Sequence, residues 1–307
     1  EGERIAFVKG RLRERRWFDG AADDTLNGRN VLWKIEHPDN PDRAPSYLFG
    51  TMRLTDDRLQ TLPAKVNEAM VSARVIAIEI DDTSPVRANE AMKAMLPRLV
   101  VESGDRLDKA LKPNEWRIAS ASLNRTTLPQ EVQSRARPWV VNAVMAMTDC
   151  ERSRVTAGKL PMDGEIARRA ENRGVGTMGL DTAEWQFQAQ ADVADTDALA
   201  FLKSRLALAD RVHDLTETMA QLYLRRDIAA IWPLQVALAK KAGVDEKALE
   251  SYYENAVVTR TKRMRDRAHM HLQRGGLFIA MEAQNLPGPS GMVALLQDLG
   301  YTVTPVE

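Results

Sequence analysis

Short apolar runs alternate with longer helical patterns along this chain. Residues 31–36 and 46–52 are rich in β-branched and aromatic side chains and are predicted to be strands, because such side chains fit a pleated surface. Residues 37–42 lie between them and are rich in Pro, Asp and Asn, which is typical of a turn. The first two strands are therefore predicted to form a hairpin.

A helix and a third strand are predicted to follow the hairpin. Residues 62–73 carry apolar side chains at i, i+3, i+4 and i+7, which predicts a helix with one apolar face. Residues 75–80 are apolar on both faces up to Glu79, the pattern of a strand that helices cover on both sides. A buried carboxylate is costly unless it is paired or coordinated. Glu79 is therefore a candidate site residue, or else a carboxylate that reaches solvent at an open strand end.

The middle of the chain is predicted to be mainly helical. One helix is predicted to begin at Ser84, because Ser is a good N-cap and the Pro that follows fits the first helical turn. A strand at residues 175–181 ends in a second carboxylate, Asp181. Residues 183–274 contain no convincing strand and predict a helical block of four or five helices. Breaks in this block are predicted near Asp195, Asp227, Pro233 and Gly243.

The C-terminal part returns to strand, helix and strand, at residues 277–281, 291–299 and 301–306. Such units at both ends predict an α/β fold, with one central mixed β-sheet flanked by helical layers and a large helical insertion. We expect a polar N-terminal arm at residues 1–30 and a single domain at residues 31–307.

Two of the predicted strands have similar ends. The stretch at 47–54 breaks at Gly50 and carries Arg53 three positions on, before a Leu-Pro pair and a helix. The stretch at 277–287 repeats the order of strand, turn, polar residue (Asn285), Leu-Pro and helix. This similarity predicts N- and C-terminal strand-turn-helix-strand units related by pseudo-symmetry. It also predicts one shared site if the two strands lie side by side.

Composition narrows the classes of function. The 43 basic and 43 acidic residues cancel, so nothing indicates non-specific binding to nucleic acid or to a membrane surface. No apolar run approaches the roughly 18 residues that a transmembrane helix needs. The single cysteine, Cys150, excludes an internal disulfide and a cysteine metal cage. The four histidines form no ligand set: His269 and His271, for example, lie about 200° apart around one helix.

A basic stripe is predicted on the last helix of the helical block. Arg260, Arg263 and Arg267 fall at i, i+3 and i+7, which places them on one face. A solvated face is the ordinary interpretation, and the alternative is a stripe that faces an anionic group or the strand-end carboxylates. The sequence contains no phosphate-binding P-loop, dinucleotide-binding fingerprint, zinc-protease helix motif or nucleophile elbow.

Several motifs together resemble the TraB/GumN family, which is related to the Tiki metalloproteases within an EreA/ChaN-like superfamily. The positions that carry the resemblance are 32–34, 47–51, 77–81, 138–139, 179–182, 286–291 and 300–303, with Asp163, Gln186, Arg260 and Met264. These positions run through nearly the whole chain. Asp181 departs from the family pattern, in which Glu is usual at that position.

The resemblance implies a divalent metal ion that activates water, held by the histidines of two G-x-x-H motifs and by the strand-end acid. Here the first motif ends in Arg53, and the second runs from Glu282 to Asn285, so both histidines are absent. Arg has no free lone pair and keeps its charge, so it would repel a metal ion. Asn285 offers only a weak oxygen ligand, better suited to a hard cation.

Arg53 is therefore predicted to stand in place of the metal and to pair with Glu79, Asp181 or Glu282, since guanidinium and carboxylate fit each other in bidentate geometry. The candidate site residues are Glu79, Asp181 and Glu282, together with Arg53, Asn285 and Arg260. No cofactor and no metal ion are expected. The alternative is a divalent cation held by Glu79, Asp181 and Asn285.

Two alternative functions follow from the family resemblance and from the replacement of both histidines. We expect a degenerate, catalytically inactive member of the family that acts as a binding, scaffolding or regulatory protein for another protein or a peptide. The alternative is a peptidase-like, metal-dependent hydrolase with an altered carboxylate and Asn site, or a metal-free acid–base site on the same carboxylates. The resemblance, together with a first residue other than Met, leads us to expect a periplasmic or extracytoplasmic location.

Overall fold

The computed structural model describes residues 27–40, 42–80, 97–102, 104, 106–126 and 128–306. The helix that we predicted to begin at Ser84 and most of the arm predicted at residues 1–30 lie outside these residues. The prediction of a single domain at residues 31–307 stays a prediction.

Six strands form one mixed sheet in the described part of the chain. They are β1 (Leu32–Glu36), β2 (Ser46–Thr51), β3 (Val75–Ile78), β4 (Gly176–Gly179), β5 (Leu277–Glu282) and β6 (Thr302–Pro305). Their order across the sheet is β4-β3-β5-β2-β1-β6. The strands β4, β3, β5 and β2 are parallel, whereas β1 is antiparallel to both β2 and β6. The predicted mixed sheet and the predicted hairpin of β1 and β2 are therefore confirmed.

Helices flank this sheet and build the middle of the chain. They are α1 (Asp57–Gln60), α2 (Ala64–Ser72), α3 (Leu107–Ala110), α4 (Pro113–Leu123), α5 (Gln130–Gln133), α6 (Pro138–Met145), α7 (Asp149–Thr156), α8 (Met162–Glu171), α9 (Ala183–Ala191), α10 (Asp195–Leu206), α11 (Val212–Leu224), α12 (Ile231–Lys241), α13 (Glu246–Tyr253), α14 (Thr259–Leu272) and α15 (Met292–Asp298). The helices α2, α8, α14 and α15 contact the strands directly.

The two strands with similar ends lie next to each other. β2 pairs with β5 in parallel, and Thr51 is the register partner of Glu282. The strand ends that we predicted to share one site are therefore adjacent, and the pseudo-symmetry of the two terminal units stays a prediction. The pairing joins residues separated by most of the chain, so it is a non-local contact with a large loop-closure cost.

The helical block at residues 183–274, all of it described, contains six α-helices rather than four or five. The predicted break at Pro233 is wrong, because Pro233 lies in the first turn of α12, where its missing N–H costs no intrahelical hydrogen bond. The break falls earlier, at Asp227, and a further break separates α10 from α11. A short π-helical turn, Glu254–Val258, joins α13 to α14.

The main hydrophobic core covers both faces of the sheet. All five residues from Leu277 to Met281 in β5 are completely inaccessible to solvent, which is why the strand lacks the alternation of a half-exposed strand. A second cluster lies between α4, α6 and α10, where Leu123, Val141 and Leu202 are fully buried. None of the described helices is long and apolar enough to cross a membrane.

Candidate functional site

The four parallel strands all end at one edge of the sheet, and a charged residue follows or completes each of them. Glu282 is the last residue of β5, Glu79 comes directly after β3, and Arg53 and Asp181 come two residues after β2 and β4. The carboxyl ends of parallel strands are the usual position of binding sites in α/β proteins. The sheet therefore gathers four of the predicted site residues at one place.

Glu79 lies at the centre of this group and is only 1% exposed. Its Oε2 atom accepts hydrogen bonds from Arg53 Nη2 and, at 3.1 Å, from Arg260 Nη2. Its Oε1 atom accepts the backbone N–H of Glu282 at 2.8 Å. Burial alone would raise the pKa of Glu79, but the two arginines and this N–H outweigh it and lower the pKa below its usual value. Glu79 is therefore a charged, fully paired carboxylate.

Arg260 links the ends of two strands. Its Nε atom donates to Asp181 Oδ2 at 2.8 Å, in addition to its bond with Glu79. The side chain of Asp181 is fully buried, and its Oδ1 atom accepts the backbone N–H of Thr182 at 2.9 Å. Buried charges persist in proteins when they are paired and hydrogen-bonded in this way.

The position of Arg260 contradicts the solvated face that we took as the ordinary interpretation of the basic stripe. Arg260 occupies the same buried face of α14 as Met264, Ala268 and Leu272, at intervals of four residues, so its side chain is directed toward the sheet. The two other arginines of the stripe stack instead on the ring of Trp185, at 4.6 and 5.4 Å from its centroid.

The π-helical turn lies just before Arg260. Because a π-turn contains an extra residue, it changes the face that the following helix presents. Residues Ala256, Val257 and Val258 of this turn are buried. Turns of this kind are found frequently at functional sites, which agrees with the direct contact of Arg260 with Glu79.

Arg53 is surrounded by carboxylates. Besides its bond to Glu79, its Nε atom lies 3.9 Å from Asp163 Oδ2 and 3.9 Å from Glu282 Oε2. Glu79 is the main reason that the pKa of Arg53 is raised above its usual value. The predicted contact of Arg53 with Glu79 is present, whereas Asp181 forms its ion pair with Arg260 instead.

The cluster contains more negative than positive groups. Glu79, Asp163, Asp181 and Glu282 face two guanidinium groups, so the ionised cluster would carry two excess negative charges. Burial raises the pKa of Asp163 to about 6, with a further contribution from Glu79 and an opposing one from Arg53. Burial likewise raises the pKa of Glu282 to about 6, although 30% of its side chain is exposed. These two carboxyl groups therefore titrate in the weakly acidic range.

Asn285 belongs to the short 3₁₀ helix that follows β5, and it is 5% exposed. Its Oδ1 atom is buried without a hydrogen-bond partner in the described part of the chain, as are Thr51 Oγ1 and Asp163 Oδ1. Buried polar atoms without a partner are uncommon, and they concentrate at sites that bind or react.

Close packing fixes the loop that carries Asn285. A Cβ atom on Gly291 would lie 2.2 Å from Leu286 O and 2.3 Å from Pro287 O, so only glycine fits there. The buried hydroxyl of Tyr223 in α11 donates a hydrogen bond to the backbone oxygen of Gly50, on the neighbouring strand β2, at 2.7 Å. These contacts hold the two adjacent strand ends in fixed positions.

Asp163 is the site residue that the sequence argument omitted. Asp163 is one of the positions that carry the family resemblance, and nothing in its local sequence marks it as a site residue. An acidic residue in the first turn of a helix is ordinary, because it interacts favourably with the helix dipole, and Asp163 is the second residue of α8. Only the fold shows that this turn lies beside Arg53.

The metal ion that the resemblance implies does not fit these residues. The unpartnered oxygen atoms of Thr51, Asp163 and Asn285 are of the kind that a hard cation prefers. However, the guanidinium of Arg53 already contacts Glu79, the strand-end acid that would bind the metal. A divalent cation at this position would meet a fixed positive charge and would compete with it for the same oxygen.

The chain matches a known protein family. The model of the TraB/PrgY/gumN family matches residues 31–305, nearly the whole chain. No curated protein and no solved structure matches this chain.

Proposed function

Since the chain belongs to the TraB/PrgY/gumN family, we propose that it is a degenerate member without metal-dependent hydrolysis. In this proposal it acts as a binding, scaffolding or regulatory protein. Its partner is another protein or a peptide. The strand-end cluster then serves mainly to fix the edge of the sheet.

One observation carries this proposal: Arg53 contacts Glu79, the acid at the end of β3. The sequence has Arg53 and Asn285 where the resemblance implies metal-binding histidines. Arg260 binds the same oxygen of Glu79 and also binds Asp181. The strand-end acid Glu79 and its neighbour Asp181 are thus both paired with arginines, which take the place that a cation would otherwise occupy beside Glu79.

Calorimetric titration of Mn²⁺, Zn²⁺ and Ca²⁺ into the purified protein tests this proposal. We expect no stoichiometric binding to the wild type, and the same result for Glu79→Ala. The matched control is Glu68→Ala, which removes an exposed glutamate of α2. Stoichiometric binding that is retained in Glu68→Ala and lost in Glu79→Ala would overturn the proposal and restore a metal-dependent hydrolase.

A second function is favoured by the two carboxyl groups beside Arg53. Asp163 and Glu282 both have a pKa raised to about 6, which suits a general acid and a general base near neutral pH. A metal-free hydrolase would use these groups, with Arg53 beside the developing charge. Cleavage of a peptide mixture by the wild type, but not by Asp163→Asn or Glu282→Gln, would establish this function in place of the first.

We also propose that the protein works outside the cytoplasm, as the family resemblance implies. Fractionation of cells that produce the full-length protein at native levels tests this. Recovery with periplasmic or cell-surface markers supports the proposal, and recovery with cytoplasmic markers overturns it.

A further inference from the structure

A cavity of about 1010 Å³ lies between the helical block and the preceding helices α4 and α6. Its walls come from α4, α6 and α9 to α13, and Glu282 and Gln284 also line it. The cavity therefore borders the strand-end cluster without being part of it. Its volume is at the upper end of the range of small-molecule sites, which is roughly 300–1,000 Å³.

Arg205 of α10 lines this cavity and is partly buried. Burial lowers its pKa, and the nearby Tyr252 is the group that opposes this effect. No carboxylate in the described part of the chain pairs with it. Two other arginines in the cavity wall do have partners: Arg117 donates to Asn114 Oδ1 at 2.9 Å, and Arg125 lies 2.5 Å from a carboxylate oxygen of α7. Arg205 is thus a partly buried cation to which the described residues offer no paired carboxylate, and an anionic ligand would supply that partner.

Aromatic side chains form an apolar surface in the same cavity. The rings of Phe201 and Tyr252 have centroids 4.7 Å apart, and Trp232 stacks on Tyr252 with an interplanar angle of 8°. Phe201 and Arg205 are both on α10, four residues apart, and so share one helix face. A ligand that reaches Arg205 therefore also meets this aromatic surface.

Asn142 of α6 adds a hydrogen-bond acceptor. Its Nδ2 atom donates to Ala198 O at 2.9 Å, which orients the amide. Its Oδ1 atom is buried and has no partner in the described residues, and Asn142 lines the cavity. Convergent polar groups in a largely apolar cavity are the usual composition of a ligand site.

We propose that this cavity binds an amphipathic carboxylate that carries an amide N–H. The guanidinium of Arg205 binds the carboxylate, the rings of Phe201, Trp232 and Tyr252 bind an aromatic or aliphatic body, and Asn142 Oδ1 accepts the N–H. An N-acylated amino acid and the C-terminal residue of a peptide share this chemistry. The inference goes beyond the function proposed above, because binding here does not depend on the state of Glu79 and Arg53.

Calorimetric titration with N-acetyl-phenylalanine tests the inference, and the uncharged N-acetyl-phenylalaninamide is the comparison ligand. We expect the acid to bind and the amide to bind at least about tenfold more weakly, because a hydrogen bond to a charged group is among the stronger ones. Both measurements use the unmodified full chain, so they do not depend on whether a variant folds. Equal binding of acid and amide, or no binding of the acid at millimolar concentration, would overturn the inference.

Variants then locate the site. Arg205→Gln is expected to reduce affinity for the acid about tenfold or more and to leave affinity for the amide unchanged. Lys203→Gln is the matched control, because it removes an exposed cation from the same helix. Unchanged binding of the acid to Arg205→Gln would place the ligand elsewhere and would contradict the proposal.

A peptide ending in Ala-Ala-Phe distinguishes the two sources of ligand. Tighter binding of this N-acetylated peptide than of N-acetyl-phenylalanine assigns the site to peptide C-termini, and weaker binding assigns it to small acylated amino acids. The metal titration described above is a separate measurement, so failure of the cavity inference and failure of the proposed function are distinguishable.

Discussion

Arg260 donates through Nε to Asp181 Oδ2 at 2.8 Å, across 79 residues of sequence. The same guanidinium donates to Glu79, so one side chain of α14 ties together the ends of β3 and β4. The side chains of both acids are at most 1% exposed. The ion pairs are therefore inseparable from the packing of α14 on the sheet.

Arg260→Gln is expected to destabilise the protein strongly, because it leaves two buried carboxylates with one fewer positive partner. Removal of one partner from a buried ion pair costs about 3–5 kcal/mol. Urea unfolding at neutral pH measures this loss. Lys262→Gln removes an exposed cation two residues along the same helix and is expected to cost less than about 0.5 kcal/mol. Similar losses for the two variants would contradict a buried ion pair at Arg260.

Asp163→Asn is expected to make the protein more stable at pH 7.5 and to reduce the dependence of its stability on pH. The folded-state pKa of about 6 lies above the ordinary value of 3.8, so between these values the folded state binds more protons than the unfolded state. The contribution of Asp163 to stability is therefore fully present below about pH 4 and is lost as the pH rises through 6. The expected gain at pH 7.5 is about 3 kcal/mol.

Thermal unfolding of Asp163→Asn and wild type at pH 4, 5, 6 and 7.5 checks the direction in which Asp163 makes stability depend on pH. The control is Asp298→Asn, which changes an exposed residue at the end of α15. If the unfolding temperatures of Asp163→Asn and wild type changed with pH in the same way, the pKa of Asp163 would not be raised in the folded protein. Glu282 has a similarly raised pKa, so part of the pH dependence is expected to remain.

Arg53→Met is expected to raise the pKa of Glu282 above its present value of about 6. Burial, Glu79 and Asp163 raise this pKa, whereas Arg53 and, to a smaller extent, Arg260 lower it. A titration followed by ¹³C NMR of the side-chain carboxyl groups measures the change, and Glu282→Gln identifies the signal. An unchanged pKa would mean that Arg53 and Glu282 do not interact across the 3.9 Å that separates them.

Gly291→Ala is expected to destabilise the protein by more than about 2 kcal/mol, because its Cβ would overlap two backbone oxygen atoms. Thermal unfolding measures the loss. Gly176→Ala is the control, since a Cβ atom at that position of β4 meets nothing within 4 Å. An equal, small effect of both substitutions would show that the loop after β5 adapts easily.

Much of the site was predictable from the sequence, because short-range patterns mark strand ends. Glu79 and Asp181 each close an apolar run, and Arg53 follows a strand that breaks at Gly50. Together with the resemblance, which puts Arg53 in the place of a metal-binding histidine, these positions were sufficient to predict an ion pair between Arg53 and an acid. The breaks predicted at Asp195, Asp227 and Gly243 are also confirmed, since each marks a helix boundary.

The partners of those charges were not predictable. Arg260 could be assigned to a solvated stripe or to the site, because periodicity gives the face of a helix but not what that face packs against. Asp163 was indistinguishable from an ordinary first-turn acid. Pro233 was misread for a related reason, because a Pro in a first turn and a Pro at a break have the same local sequence signal.

The sequence by itself determined the α/β fold class and the strand ends, because these follow from local composition and spacing. Its resemblance to the family also showed that the family's two histidines are replaced here. Tertiary structure alone decided that β2 and β5 are neighbours and that α14 turns Arg260 toward Glu79. It also decided that Asp163 lies beside Arg53, and that Arg205 lines a cavity in which none of the described carboxylates pairs with it. The physical reason is that ion pairing and burial depend on distances between segments far apart in the chain, which are set only when the sheet and the helices pack together.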